Sequence, residues 1–283
     1  MGRWVIGSVG IGLLATAIAW AGPLRWRGEK HQVSLPPSAV PIVHQTYCLA
    51  WSAAAAEPSR FPAGKPLVWV VDGAGDLKGC STALAHANAV AGNPVELAVF
   101  PWSHGYRRLL KDQIDGGHAR RQGARLAEAI WDQRQRQPDR RMVLVAHSAG
   151  CAVALGAGDV LPPDSLDRIL LLAPSVSAGY DLRPTLLSAR EGVDVFCSKR
   201  DWVALGFVVR VVGTTDNFWS GTAAGRWGFR QAQQAAQDPL IARRLRQHFW
   251  SPEVAWTGHH GGHHGMHAPG FIHTFLMPLI LGQ

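Results

Sequence analysis

Five short, nearly continuous apolar runs, each followed by a turn and a helix-like stretch, constrain this chain more than any other feature. They are Leu67 to Val71, Val95 to Phe100, Met142 to Ala146, Ile169 to Ala173 and Val193 to Cys197, with a weaker sixth at Val254 to Thr257. Runs of about five apolar residues suit strands buried on both faces. Between them lie helical patterns. In Ala119 to Arg136, the residues Ala124, Leu126, Ala127, Ala129 and Ile130 collect apolar surface among charged positions. Ala149 to Ala157 is built of small residues, and Phe271, Ile272, Phe275, Leu276, Leu279 and Ile280 form one apolar helix face. Strands alternating with helices predict an α/β fold: a mostly parallel sheet with helices on both faces.

A hydrophobic content of 47% with 17% charged residues excludes a disordered chain. Four Cys are too few for a disulfide scaffold, and no C-x-x-C occurs to suggest a zinc ribbon or a thioredoxin-like site.

Three segments are expected. Residues 1–24 contain an uncharged apolar stretch, Trp4 to Ala21, ended by Pro23. It reads either as a cleaved signal peptide, with Ala19 and Ala21 in an A-x-A frame, or as an N-terminal membrane anchor. Both readings place the protein at the membrane or beyond it, in the cell envelope, and leave its orientation open. Residues 25–65 carry Pro36, Pro37, Pro41, Pro58 and Pro62 and read as a linker. Residues 66–283 form the folded domain.

The stretch Arg141 to Gly150 carries the chemistry. A buried strand runs straight into Ser148, and a small-residue helix follows at once. Small residues two positions either side, Ala146 and Gly150, fit a sharp strand-to-helix turn that projects the serine hydroxyl outward. The helix N-terminus then points backbone N–H groups at any reacting carbonyl oxygen. His147 is expected to point away across the turn and to pack or shape the pocket.

With this elbow, the chain from Leu67 to the C-terminus resembles the α/β-hydrolase superfamily. The resemblance implies a serine hydrolase whose triad follows the order Ser, acid, His. The acid expected is Asp201, just beyond the fifth run; Asp216 is the reserve, and Asp194, inside the run, is less available. The base comes from the loop Gly258 to His267, which holds five His. The resemblance favours His263, which follows Gly261 and Gly262, with His264 as the alternate. It also implies an oxyanion hole from the backbone N–H groups of Ala74 and Ala149; Asp72 stands where related enzymes carry a His.

The implied substrate is a small molecule with a carboxylic ester or related acyl bond, cut without a cofactor. About twenty residues separate the fourth and fifth runs, too few for a large lid, so an open site is expected. The His loop has a metal-site rival, since His259/His263, His260/His264 and His263/His267 have i, i+4 spacing. Gly258, Gly261, Gly262 and Gly265 speak against the helix this needs, and no metal is expected. The net charge of +8 is read as solvated helix faces, with Arg134, Arg141 and Arg246 among them, and no nucleic-acid module is visible. Two other readings stay open: a non-catalytic, membrane-tethered binding protein on a hydrolase scaffold, and a His-rich metal-binding protein.

Overall fold

The computed structural model describes residues 64–216 and 221–283. The apolar stretch expected within residues 1–24 and nearly all of the linker lie outside them. Among the described residues, no helix is long and apolar enough to cross a membrane.

The chain runs β1 (Leu67–Val71), α1 (Gly79–Val90), β2 (Glu96–Val99), α2 (Leu109–Ile114), α3 (Gly116–Arg136), β3 (Met142–His147), α4 (Gly150–Gly158), β4 (Arg168–Leu172), α5 (Arg183–Ser188) and β5 (Val193–Cys197). A π-helical segment, Val203–Val208, leads into α6 (Val209–Val212), followed by α7 (Ala224–Trp227), α8 (Pro239–Arg244) and β6 (Leu245–Phe249). The last helix starts as α9 (Pro269–Phe271), passes through the π-helical segment Ile272–Leu276 and ends as α10 (Met277–Leu281).

The strands form one sheet in the order β2-β1-β3-β4-β5-β6, and every neighbouring pair is parallel. Right-handed crossovers on this order put α1 on one face and α3, α4 and α5 on the other. The packing agrees. The C-terminal helix lies against α1, while α4 lies against α3 and α5. The fold is therefore α/β, with a parallel sheet covered on both faces, and with β3 running into Ser148 it is the α/β-hydrolase arrangement.

Two strand expectations need correction. Val254–Thr257 lies in a 3-10 helix, Pro252–Thr257. Pro252 supplies no N–H for a ladder and suits the first turn of a helix instead. The sixth strand is Leu245–Phe249, whose sequence LRQHF hides it. Among the described residues it pairs with β5 alone, and its Arg246 and His248 are drawn to a buried carboxylate of that neighbour. Arg246 thus belongs to a strand and not to the helix before it. β2, at the other edge, is only partly covered, with Glu96 and Val99 exposed, so it is not buried on both faces.

The basic residues also divide differently from expectation. Arg134 and Arg141 are buried. Arg134 donates to the carbonyls of Ser165 and Pro138 and pairs with Asp167 at 3.0 Å. Arg141 pairs with Glu191 and donates to the carbonyls of Leu279 (2.8 Å) and Ile280 (2.7 Å), capping the last turn of α10. Asp194, 0% exposed, accepts from Arg168 (2.9 Å), Arg246 (2.8 Å) and His248 (2.8 Å). Burial by itself raises this carboxyl. The hydrogen bonds from Arg246 and His248 and the charges of Arg246 and Arg168 overcome that and hold it well below the usual carboxylate range.

Removing one partner of a buried charge cluster leaves the others uncompensated. Asp194→Ala is expected to lower unfolding stability by about 3–5 kcal/mol at pH 7 in urea denaturation. The native carboxyl is depressed, so its stabilisation is complete above the unfolded-state pKa of ~3.9. The gap between wild type and variant should therefore hold down to about that pH and close only in stronger acid.

Candidate active site

Ser148 sits between β3 and α4 with φ 53°, in the left-handed region that a residue with a side chain rarely adopts. The backbone around it is fixed from both sides. Its N–H donates to the Leu172 carbonyl at 2.9 Å, and its carbonyl accepts from Cys151 and Ser175, both at 3.1 Å. Two glycines allow the close approaches this turn requires. A Cβ on Gly150 would stand 2.3 Å from the Asp72 carbonyl oxygen, and one on Gly73 would stand 3.3 Å from Ser148 Cβ and 3.0 Å from His147 Nδ1. The loop after β1 therefore lies directly against the serine.

Asp201 follows β5 and is 2% exposed. Its Oδ2 lies 2.5 Å from His263 Nδ1, and His263 Nε2 lies 2.8 Å from Ser148 Oγ. The carboxylate accepts from Nδ1–H, which leaves Nε2 as the acceptor for the serine hydroxyl. Ser148, His263 and Asp201 thus form one continuous hydrogen-bond chain. Asp201 Oδ1 also accepts, at 3.4 Å, from Leu205 N–H in the following helical turn, so the capping role and the contact to His263 coexist.

The loop that carries His263 is tied down by its own neighbours. Gly261 takes φ 87°, the turn expected of the glycine pair. Ser198, at the end of β5, donates its hydroxyl to the Gly261 carbonyl at 2.6 Å. Buried His259 accepts from Gly261 N–H at 3.1 Å, and its carbonyl accepts from Trp250 Nε1–H at 2.7 Å. Ser198 therefore joins the loop of the acid to the loop of the histidine, a role that no sequence pattern marks.

The alternates lie elsewhere. His264 packs edge-on against the His263 ring, 5.3 Å between centroids, and is not the histidine bonded to Ser148. Asp216 accepts from the backbone N–H of Ser177 at 2.6 Å. His147 is buried and packs, but it does not point away from the site: its ring centroid stands 4.9 Å from that of His263, and its Nε2–H donates to the His263 carbonyl at 3.3 Å. Burial, with His267, His263 and His264 close by, pushes its imidazole well below the ordinary histidine range. Desolvation by the atoms packed around its ring and the neighbouring His263 bring His264 down to about 4, although the residue as a whole stays exposed; burial and His264 bring His267 down to about 3. These three rings are neutral at pH 7. The i, i+4 pairs do not sit on an α-helix: Gly265–His267 is a single 3-10 turn.

Ala149 follows the serine directly at the start of α4, and Ala74 follows Gly73 in the loop after β1. Asp72, which departs from the superfamily pattern, caps α1: its Oδ1 accepts from Cys80 N–H (2.8 Å) and Ser81 N–H (3.0 Å). Its carbonyl accepts from the indole N–H of buried Trp102 at 2.7 Å. The less visible support is Asp112, 0% exposed. It accepts from Gly75 N–H (2.7 Å), Ser103 Oγ–H (2.5 Å) and His104 N–H (2.9 Å). Nothing in the sequence separates Asp112 from the charged residues around it; only the fold shows that it holds the turn after β1.

No family model matches the chain, and no curated protein matches it in sequence. Solved structures do resemble it. One, described as a candidate hydrolase of the α/β superfamily from Xanthomonas campestris pv. campestris, is 15% identical. That match covers 75% of this chain and 99% of the other, with a TM-score of 0.40. A cutinase-like protein from Cryptococcus sp. is 12% identical over 80% of this chain and 98% of its own, with a TM-score of 0.38. An acetyl xylan esterase is 11% identical over 74% and 98%, with a TM-score of 0.36. At these values the likenesses decide nothing about chemistry, and the side chains of the site must do so.

Asp112→Ala removes the acceptor that fixes the turn after β1. It is expected to speed amide hydrogen exchange at Gly75 and His104, while amides of β3 and β4 keep their protection. Unchanged exchange at Gly75 would show that the turn is held without Asp112.

Proposed function

We propose that this protein is a serine hydrolase that cleaves a carboxylic ester or a related acyl bond through an acyl-enzyme. The unbroken chain from Ser148 Oγ through His263 to Asp201 Oδ2, anchored on a left-handed serine, carries this reading. His263 takes the hydroxyl proton as Oγ attacks the substrate carbonyl, and Asp201 orients the ring and stabilises the imidazolium that forms. The backbone N–H groups of Ala74 and Ala149 are the donors proposed for the oxyanion of the tetrahedral intermediate. The imidazolium then protonates the leaving alkoxide. Water, deprotonated by the same ring, releases the acid and restores Ser148.

The surface beside Asp201 suits a substrate with an apolar acyl part. Trp202, Val203 and Phe207 are exposed directly after the acid, 64%, 42% and 52%, without a lid over them among the described residues. In the sequence, the uncharged stretch Trp4 to Ala21 supports a place of action at the cell envelope.

Labelling with a fluorophosphonate probe and turnover of short-chain p-nitrophenyl esters test the reading. Wild type should label and turn over. Ser148→Ala should lose labelling and at least ~10³-fold in kcat, and His263→Ala a comparable factor. The double variant should be scarcely worse than either single one, because the two groups act as a unit. Equal labelling of wild type and Ser148→Ala would overturn the proposal.

A further inference from the structure

Beside the triad lies a second group of side chains that the hydrogen-bond chain does not use. His147 is the last residue of β3, and His264 and His267 belong to the loop that carries His263. One ring nitrogen from each comes within 4.8 Å of the other two. The rings crowd together, with centroids 4.4 Å apart for His147 and His267, 5.8 Å for His147 and His264, and 5.5 Å for His264 and His267. His267 Nε2 is buried and has no hydrogen-bond partner among the described residues. A buried imidazole nitrogen left without a partner is costly, and a bound cation would satisfy it.

The donor set selects the ion. Three neutral imidazoles and no carboxylate suit zinc and its transition-metal neighbours, while calcium and magnesium need oxygen ligands. A tetrahedral zinc with bonds of ~2.0–2.1 Å wants ligand nitrogens ~3.4 Å apart. The nitrogens, all within 4.8 Å of one another, must therefore close by at most about 1.4 Å, and rotation of the exposed His264 side chain shortens the two distances it takes part in. His147 also has the outer contact of a metal-bound histidine, a ring N–H donated to the His263 carbonyl at 3.3 Å.

We infer that His147, His264 and His267 form a site for a zinc-class divalent ion that clamps the loop carrying His263 to the end of β3. The fourth position is left to water. The sequence argued against metal because glycines break the helix on which i, i+4 histidines would converge. The fold evades that objection by recruiting one ligand from a strand. This inference does not rest on the hydrolase reading.

The test uses the full chain purified without a polyhistidine tag, stripped with EDTA, then titrated with Zn²⁺ by calorimetry and with Co²⁺ by visible absorption. One equivalent should saturate the site, Co²⁺ should give the intense visible bands of tetrahedral coordination, and Zn²⁺ should raise the thermal midpoint. His264→Ala and His267→Ala should each weaken binding by at least ~100-fold, the upper end of what losing an outer-shell partner costs. His260→Ala, on the exposed side of the same loop, should bind as wild type does. If His267→Ala fails to fold, His264→Ala decides, because His264 is exposed. Absence of saturable one-to-one binding overturns the inference. So does unchanged affinity in His264→Ala, which would mean an adventitious ion on surface histidines only.

Discussion

The left-handed backbone of Ser148 is the constraint on which the other parts of the site depend. Such a conformation costs about 1–2 kcal/mol for a residue with a side chain and persists only where its surroundings fix it. Here β3 lies between β1 and β4 in fixed register, and α4 packs so closely that Gly150 meets the carbonyls of Val71 and Asp72. The same closeness brings the turn after β1 to the serine. The site is therefore assembled by packing in the centre of the sheet, and the loops only have to reach it.

The charged residues serve a related purpose. Glu191 joins Arg141 to Arg168, Asp194 joins Arg168 to Arg246, and Arg141 reaches the end of α10. This network ties β3, β4, β5 and β6 together at one end, and the C-terminal helix with them. Arg141, Arg168 and Arg246, with Arg134 beside Asp167, are thus internal struts and not part of a basic surface.

The central strands were legible because burial on both faces writes itself as unbroken apolar runs. The elbow was legible because its sterics demand small residues at fixed offsets. β6 was not, because an edge strand beside a buried Asp can carry Arg and His, and periodicity alone reads LRQHF as polar surface. Asp201 was singled out by its place after the fifth run and His263 by the resemblance, which favours the His after Gly261 and Gly262; the two are joined to Ser148 by hydrogen bonds. Ser198, Asp112 and the nearness of His147 to His267 could not be read in this way, because they depend on which loops the sheet order brings together. Ser198 and Gly261 are 63 positions apart and Gly75 and Asp112 37, and no local spacing records contacts of that span.

Separation along the chain also orders events in time. Ser148 and His263 are 115 residues apart, and Asp201 lies between them. Local helices form early, whereas contacts of such span must wait for loop closure. A chain emerging from the ribosome presents its strained serine well before the imidazole that completes the hydrogen-bond chain has been made. Until β6 and the loop after it dock, the Ser148 hydroxyl has no His263 to accept its hydrogen bond.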